Sequence, residues 1–245
     1  MAVPFFSFTM QQRRDLQYPN ISLLRRRPRR RCNHQTTVLQ QNLSPGTAKR
    51  ASCMTFPSFH DSTHLYFITA SIIDWKHLFI TPEYINIPLS SFAWLQKQYR
   101  ILLFAFVIMP SHLHAIIKPV TDTIGEIVQQ FGSFTAHEIL KKLRTDNQQD
   151  LLNLFQQKKR DQRHDHSIWQ DIQAKNIYSP DFLWQKMEYI HQNPVAKEWK
   201  LVEDRADYPY SSAGYYDYGR KPIIEITDIR DWLTSNPSPG TAKGA

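Results

Sequence analysis

Two histidines separated by one residue, His112 and His114, lie in the stretch Phe104-Ala-Phe-Val-Ile-Met-Pro-Ser-His-Leu-His-Ala-Ile-Ile-Lys-Pro119. The stretch reads as a buried strand, a two-residue turn at Pro110-Ser111, and a second strand. Side chains two apart in a strand share a face. Both imidazoles therefore aim at one spot, while Leu113 and Ala115 face the other way. Two imidazoles on a rigid sheet are half of a metal site; alone, such a pair is more often a pair of partly exposed surface residues. The choice depends on partners. Tyr189 and Asn193 are four apart just before Pro194 and share a helix face. Taken singly, they read as a core-edge tyrosine and a helix C-cap. A second pair with the same spacing, His164-Asp-His166, sits in a hydrophilic stretch and reads as a decoy.

The elements that must position these residues can be read from periodicity. His64 to Ile73 is rich in β-branched and aromatic residues and predicts a strand. Pro82 to Arg100 predicts a helix broken near Pro88, with Phe92, Leu95 and Tyr99 at helical spacing. Thr123 to Leu143 predicts a second helix, with Ile124, Ile127, Val128, Phe131, Phe134, Ile139 and Leu140 on its apolar face. Residues 144–166 are polar and predict a helix end and a loop. Ile168-Trp169-Gln170 predicts a short strand. Ser179-Pro-Asp then opens a helix with an N-cap, a first-turn proline and a first-turn acid. That helix buries Leu183, Met187 and Ile190 and ends at Asn193, because a following proline disfavours helical geometry. Residues 223–226 predict an edge strand and 229–233 a short helix. Strand, helix, two strands, helix, short strand, helix is the order of an α+β fold, one sheet with helices on a face.

Composition bounds the class. The 245 residues are 41% hydrophobic and 13% aromatic, enough for one sizeable core. No apolar run reaches the eighteen or so residues of a membrane span. The two cysteines, Cys32 and Cys53, exclude a disulfide framework and a cysteine-built zinc site, and suit a reducing cytoplasm. The formal charge is +8, yet residues 1–53 hold ten of the thirty Lys/Arg and one of the twenty-two acids. Residues 54–245 hold the other twenty bases and twenty-one acids, so the net charge does not make the folded part a nucleic-acid binder. Residues 1–58, with Arg25-Arg-Arg-Pro-Arg-Arg-Arg31, read as a disordered basic segment. The string Ser-Pro-Gly-Thr-Ala-Lys occurs at 44–49 and again at 238–243. We take it as repeated flanking DNA read in frame, which makes Met54 the expected start.

Four blocks in order resemble the one-tyrosine HUH transposases, in particular the REP-associated tyrosine transposases of the insertion sequence 200-like group. They are Phe106-Val-Ile-Met-Pro-Ser-His-Leu-His114, Ile168-Trp-Gln170, Tyr189-Ile-His-Gln-Asn-Pro-Val195 and Asp207-Tyr-Pro-Tyr-Ser-Ser-Ala213. The resemblance implies a ferredoxin-like antiparallel sheet with helices packed on one face, in a domain spanning residues 59–220 with an extension at 221–245. It implies that His112 and His114 bind a metal, that Tyr189 is the nucleophile, and that Asn193 stands where relatives carry an amide third ligand. Relatives include obligate dimers, in which the tyrosine helix meets the partner's histidines, and monomers; the resemblance leaves a homodimer open. Two strings depart from the family pattern: Phe131-Gly-Ser-Phe-Thr135, with Gly132 in place of a lysine, and Asp171-Ile-Gln-Ala-Lys175, in place of an aromatic–aromatic–acid string.

The implied chemistry is cleavage and rejoining of single-stranded or hairpin DNA through a 5′-phosphotyrosine. Two imidazoles and an amide oxygen suit Mn²⁺ by ligand type; Mg²⁺ prefers more oxygens but is abundant in cells. Arg100, Lys118 and Lys186 are candidate phosphate contacts. Trp75, Trp184 and Tyr215 are candidate base-stacking residues, with a core or rim role the plainer reading. Three other readings stand beside this one. They are a DNA-hairpin-binding protein that no longer cuts, a replication initiator with the same chemistry, and a metal-dependent hydrolase unrelated to DNA.

Overall fold

The computed structural model describes residues 64–158 and 166–236. The arginine cluster, both copies of the six-residue repeat, Met54, the two cysteines and His164 lie outside the described residues. Strand β1 (Leu65–Ile72) leads to helix α1 (Pro82–Lys97), then β2 (Ile101–Ile108) and β3 (His112–Pro119). Helices α2 (Ile124–Thr145) and α3 (Gln149–Gln157) come next, then β4 (Trp169–Ile177) and helix α4 (Pro180–Gln192). Two short helices, α5 (Ala213–Tyr218) and α6 (Ile229–Ser235), close the chain.

The four strands form one sheet in the order β2-β3-β1-β4, with every neighbouring pair antiparallel. This is the ferredoxin-like α+β arrangement. Strand alternation gives the sheet two buried faces. On one face, Ile68, Ala70, Ile72, Leu113 and Ala115 pack with α1, α2 and α3. Helix α2 offers that face a row four residues apart: Ile127, Phe131, Thr135, Ile139 and Leu143. On the other face, Phe67, Val107 and Ile116 pack with Leu183, Met187 and Ile190 of α4. The two long helices thus share one face as expected, and the sheet also carries α4 on the opposite one. The histidine pair faces α4.

Several local expectations are corrected. Helix α1 runs through Pro88 without a break. An interior proline costs about 3 kcal/mol, and burial of Tyr84, Ile85, Leu89, Phe92 and Leu95 on the same helix offsets it. Tyr99 lies past the helix end, exposed and at φ 53°. The polar stretch after α2 holds α3, anchored by buried Leu152 and Phe155. Strand β4 extends to nine residues, mostly exposed, because β1 supplies ladder partners from Leu65 to Ile72 whatever the hydropathy of β4. Residues 223–226 form no strand; Ile224 is buried in the core instead. After residue 220, Ile229 is buried and Trp232 lies edge-on to Phe104 at 5.5 Å.

The segment Tyr208-Pro-Tyr-Ser-Ser212 covers the outer edge of β2. Ser211 bridges Val107, the Ile108 amide donates to the Tyr210 carbonyl (2.9 Å), and the Tyr208 hydroxyl donates to the Ile108 carbonyl (2.8 Å). A bare edge would present unpaired backbone groups. No helix among the described residues is long and apolar enough to cross a membrane.

Candidate active site

The hairpin that presents the histidines is locked from outside. The Pro110 carbonyl accepts from the Leu78 and Phe79 amides, and the Ser111 carbonyl from the Ile72 amide, each at 2.9 Å. His112 lies opposite Ser71 and His114 opposite Thr69 on β1. Both imidazoles are buried, with ring centroids 5.0 Å apart. Thr69 Oγ1 lies 3.0 Å from His114 Nδ1, and Ser111 Oγ lies 3.3 Å from His112 Nδ1. A proton on Nδ1 leaves the Nε2 of that ring with a free lone pair, whereas a proton on His112 Nε2 lets it donate to the Asn193 oxygen.

Helix α4 brings the remaining groups. Ser179 caps it, its hydroxyl accepting from the Phe182 amide at 3.2 Å. Buried Leu183, Met187 and Ile190 seat it on the sheet, each contributing about 1.5–3 kcal/mol. The flank of the helix then carries Tyr189, whose ring meets His114 edge-on at 5.0 Å and Phe67 at 6.0 Å. Tyr189 is 47% exposed. One turn later the Asn193 amide nitrogen donates to the Tyr189 carbonyl (3.0 Å), which leaves the amide oxygen 3.3 Å from His112 Nε2. Asn193 keeps right-handed helical geometry (φ −50°, ψ −48°) despite Pro194, because a short 3₁₀ turn (Asn193–Val195) continues the helix. It is a helix-end residue, as expected of a C-cap, and a neighbour of the metal-type imidazole as well.

The electrostatics favour neutral imidazoles. Burial pushes the His114 pKa down to about 3, helped by His112 and Lys186 and opposed by a hydrogen bond with the Ile68 backbone. Burial also lowers that of His112, against the Asn193 hydrogen bond. Neutral imidazole is the form that ligates a metal. His114 Nε2 is buried and has no hydrogen-bond partner among the described residues. An orphaned buried acceptor is costly unless something completes it. The donor set of two imidazole nitrogens and one amide oxygen therefore fits a divalent cation. No cluster of three His, Cys, Asp or Glu side chains is found among the described residues.

The three cationic candidates separate. Lys186 belongs to the site: its Nζ lies 5.0 Å from the Phe67 and Phe182 rings and 5.4 Å from the Tyr189 ring. Arg100 is engaged by Asp122 and Gln130, at the end of the sheet away from the hairpin. Lys118 is on the histidine face of β3 but four residues beyond His114, about 13 Å along the strand. The structure does not bring Arg100 or Lys118 to the tyrosine. Of the aromatic candidates, Trp75 touches His112 at 5.5 Å, Trp184 is exposed on α4, and the Tyr215 hydroxyl donates to Asp228.

Two residues escaped sequence reasoning. Buried His191 sits on α4 between Tyr189 and Asn193, facing the other way, with Nε2 2.9 Å from Ser212 Oγ. The same Ser212 hydroxyl accepts from the Phe106 amide at 3.1 Å. A histidine two residues after the tyrosine, paired with a serine in the later Tyr-Ser-Ser string, was the only signal that could have found it. Asp171 is the second. It pairs with Ser71, which pairs with His112, so it lies on the histidine face two strands away. Gly132 has a local reason: a β-carbon there would lie 2.8 Å from the Ile172 side chain of β4.

The fold and the site together define an α+β sheet protein with a neutral histidine pair, an amide and an accessible tyrosine at one end of the central hairpin. No protein-family model matches the chain, and no curated protein matches it. Among solved structures, it is similar to a REP-associated tyrosine transposase bound to a REP hairpin. The TM-score is 0.47 with 18% identity, over 68% of this chain and 87% of that one.

Proposed function

We propose that the protein is a metal-dependent single-strand DNA endonuclease and strand transferase of the transposase type, with Tyr189 as nucleophile and single-stranded or hairpin DNA as substrate. The observation that carries this reading is the meeting of α4 with the hairpin. One helix turn sets a tyrosine ring against His114 and an amide oxygen against His112. A divalent cation held by His112, His114 and Asn193, Mg²⁺ or Mn²⁺, would supply positive charge at the scissile phosphate.

The chain's own residues do the rest. Tyr189 Oη forms a bond to phosphorus as the bond from phosphorus to the 3′ oxygen breaks. The phenolic proton passes to water, and the departing 3′ oxygen takes one up. A free phenol titrates near pH ~10, so proton loss accompanies attack. Lys186, beside the tyrosine ring, offsets phosphate charge. The product is a 5′-phosphotyrosine and a 3′-hydroxyl. The linkage keeps the energy of the original diester, so a second 3′-hydroxyl reverses the step without a nucleotide cofactor.

The test is incubation with labelled hairpin and single-stranded oligonucleotides from the flanking DNA, with Mg²⁺ or Mn²⁺, then denaturing gels. The expected result is a protein–DNA adduct that survives denaturation and is absent in Tyr189→Phe. DNA retarded on native gels with no adduct under either metal would leave a hairpin-binding protein that does not cut.

A further inference from the structure

Beside His112, on a part of the rim that the proposed cleavage step does not use, three more rings gather. Trp75 meets His112 edge-on at 5.5 Å. Trp199 meets His112 at 5.5 Å and His77 at 5.6 Å. They come from two separate segments, the loop after β1 and the turn after Asn193. Trp75 is 54% exposed, and His77 is exposed as well. An indole left this open is not serving the core.

The backbone that holds it is unusual. Asp74 and Trp75 are consecutive non-glycine residues at φ 52° and 53°. A β-carbon disfavours that region, and such positions persist only where the surroundings over-determine them. The surroundings do so here. The Ile73 amide donates to the Ile168 carbonyl (2.9 Å), the Lys76 amide to the Ile73 carbonyl (3.2 Å), and Lys158 pairs with Asp74 at 3.2 Å. A relaxed loop would turn the indole elsewhere; this one fixes it at the rim of the site. Exposed Lys76 and Lys200 adjoin the rings in sequence.

We propose that Trp75, His77 and Trp199 form a stacking platform for an unpaired nucleobase of the substrate strand, next to the phosphate that Tyr189 attacks. The proposal rests on reading the site as a single-strand DNA site. Ring contacts run from Trp75 to His112, from His112 to His114 and from His114 to Tyr189, so a base on the platform belongs to a nucleotide near the cut. Stacking needs only the π-face that every base has, and flanking lysines hold the backbone. Paired bases cannot use such a platform, so it selects unpaired DNA.

The experiment measures binding of a labelled oligothymidylate and of an abasic oligonucleotide of the same length by fluorescence anisotropy. The proteins are wild type, Trp75→Ala and Trp75→Phe, with thermal melts as a folding control. Trp75→Ala is expected to weaken oligothymidylate binding by about tenfold and to leave abasic binding within about twofold. Trp75→Phe is expected to recover most of the loss. An equal loss on both oligonucleotides, no loss on either, or no preference of the wild type for bases overturns the platform. The Tyr189 adduct is read on the same proteins. A base-dependent loss with no adduct anywhere keeps the platform and removes the cleavage reading; an adduct with no base-dependent loss does the reverse.

Discussion

At the scale of single residues, the site is a set of neutral buried groups waiting for charge. His112 and His114 are held unprotonated by burial, and Asn193 is aimed by its bond to the Tyr189 carbonyl. Excess Mn²⁺ should therefore stabilise the folded chain, by about 2.7 kcal/mol at a hundredfold over its dissociation constant. Thermal melts should show this gain in the wild type and its loss in His112→Ala, with a smaller loss in Asn193→Ala. Acid should act in the opposite direction. The pKa of His191 is pushed down to about 4, chiefly by burial, and that of His114 to about 3. The unfolded chain takes up these protons near pH ~6.5 and the folded chain does not, so stability falls as pH drops from there toward 4. Between pH 7 and 4.5 the loss should be on the order of 2 kcal/mol for each histidine. His191→Gln, which keeps a polar partner for Ser212, should flatten part of that slope in pH-dependent denaturation.

At the scale of elements, the geometry of the candidate site depends on how α4 is seated. Three apolar side chains press it onto the sheet, and one polar latch, His191 to Ser212 to Phe106, fixes it along its length. Ser212→Ala leaves His191 and the Phe106 amide without that hydroxyl. It should cost about 1–3 kcal/mol in denaturant melts, and it should lower adduct yield more than it lowers DNA binding. The hairpin, helix α2 and the start of α4 were legible in the sequence because each carries a local signal. Alternation with Pro-Ser marks the hairpin. Ile124, Ile127, Val128 and Phe131 recur at helical spacing in α2, and the Thr123–Glu126 capping box that starts it went unread. Ser179 with Pro180 marks α4. What was not legible has no local signal. Strand β4 is held by β1 and not by its own pattern, and the apolar residues of α3, Leu151, Leu152, Leu154 and Phe155, form a short run set among polar ones. Asp171 reaches the histidine face only through strand register. The histidine pair and Tyr189 were legible as residue types in known blocks; that Arg100 pairs with Asp122, away from the site, was not.

At the scale of the whole molecule, charge and chemistry occupy different parts of the chain. The excess positive charge lies in residues 1–53, and the candidate site lies in a nearly neutral remainder. A chain starting at Met54 should keep the ability to form the Tyr189 adduct. Its binding to single strands should fall less steeply with salt, because fewer counterions are released per complex. Titrations between about 50 and 200 mM salt compare the two slopes directly. The latch also sets a timetable. Asn193 lies 81 residues after His112, and Ser212 lies 106 residues after Phe106. A chain emerging from the ribosome thus presents its histidine pair long before Tyr189, and Tyr189 before the His191–Ser212 latch can form. Truncated or stalled products that end before Ser212 lack the latch behind Tyr189, so on the proposed function incomplete synthesis would yield chains poorly equipped to nick the DNA around them.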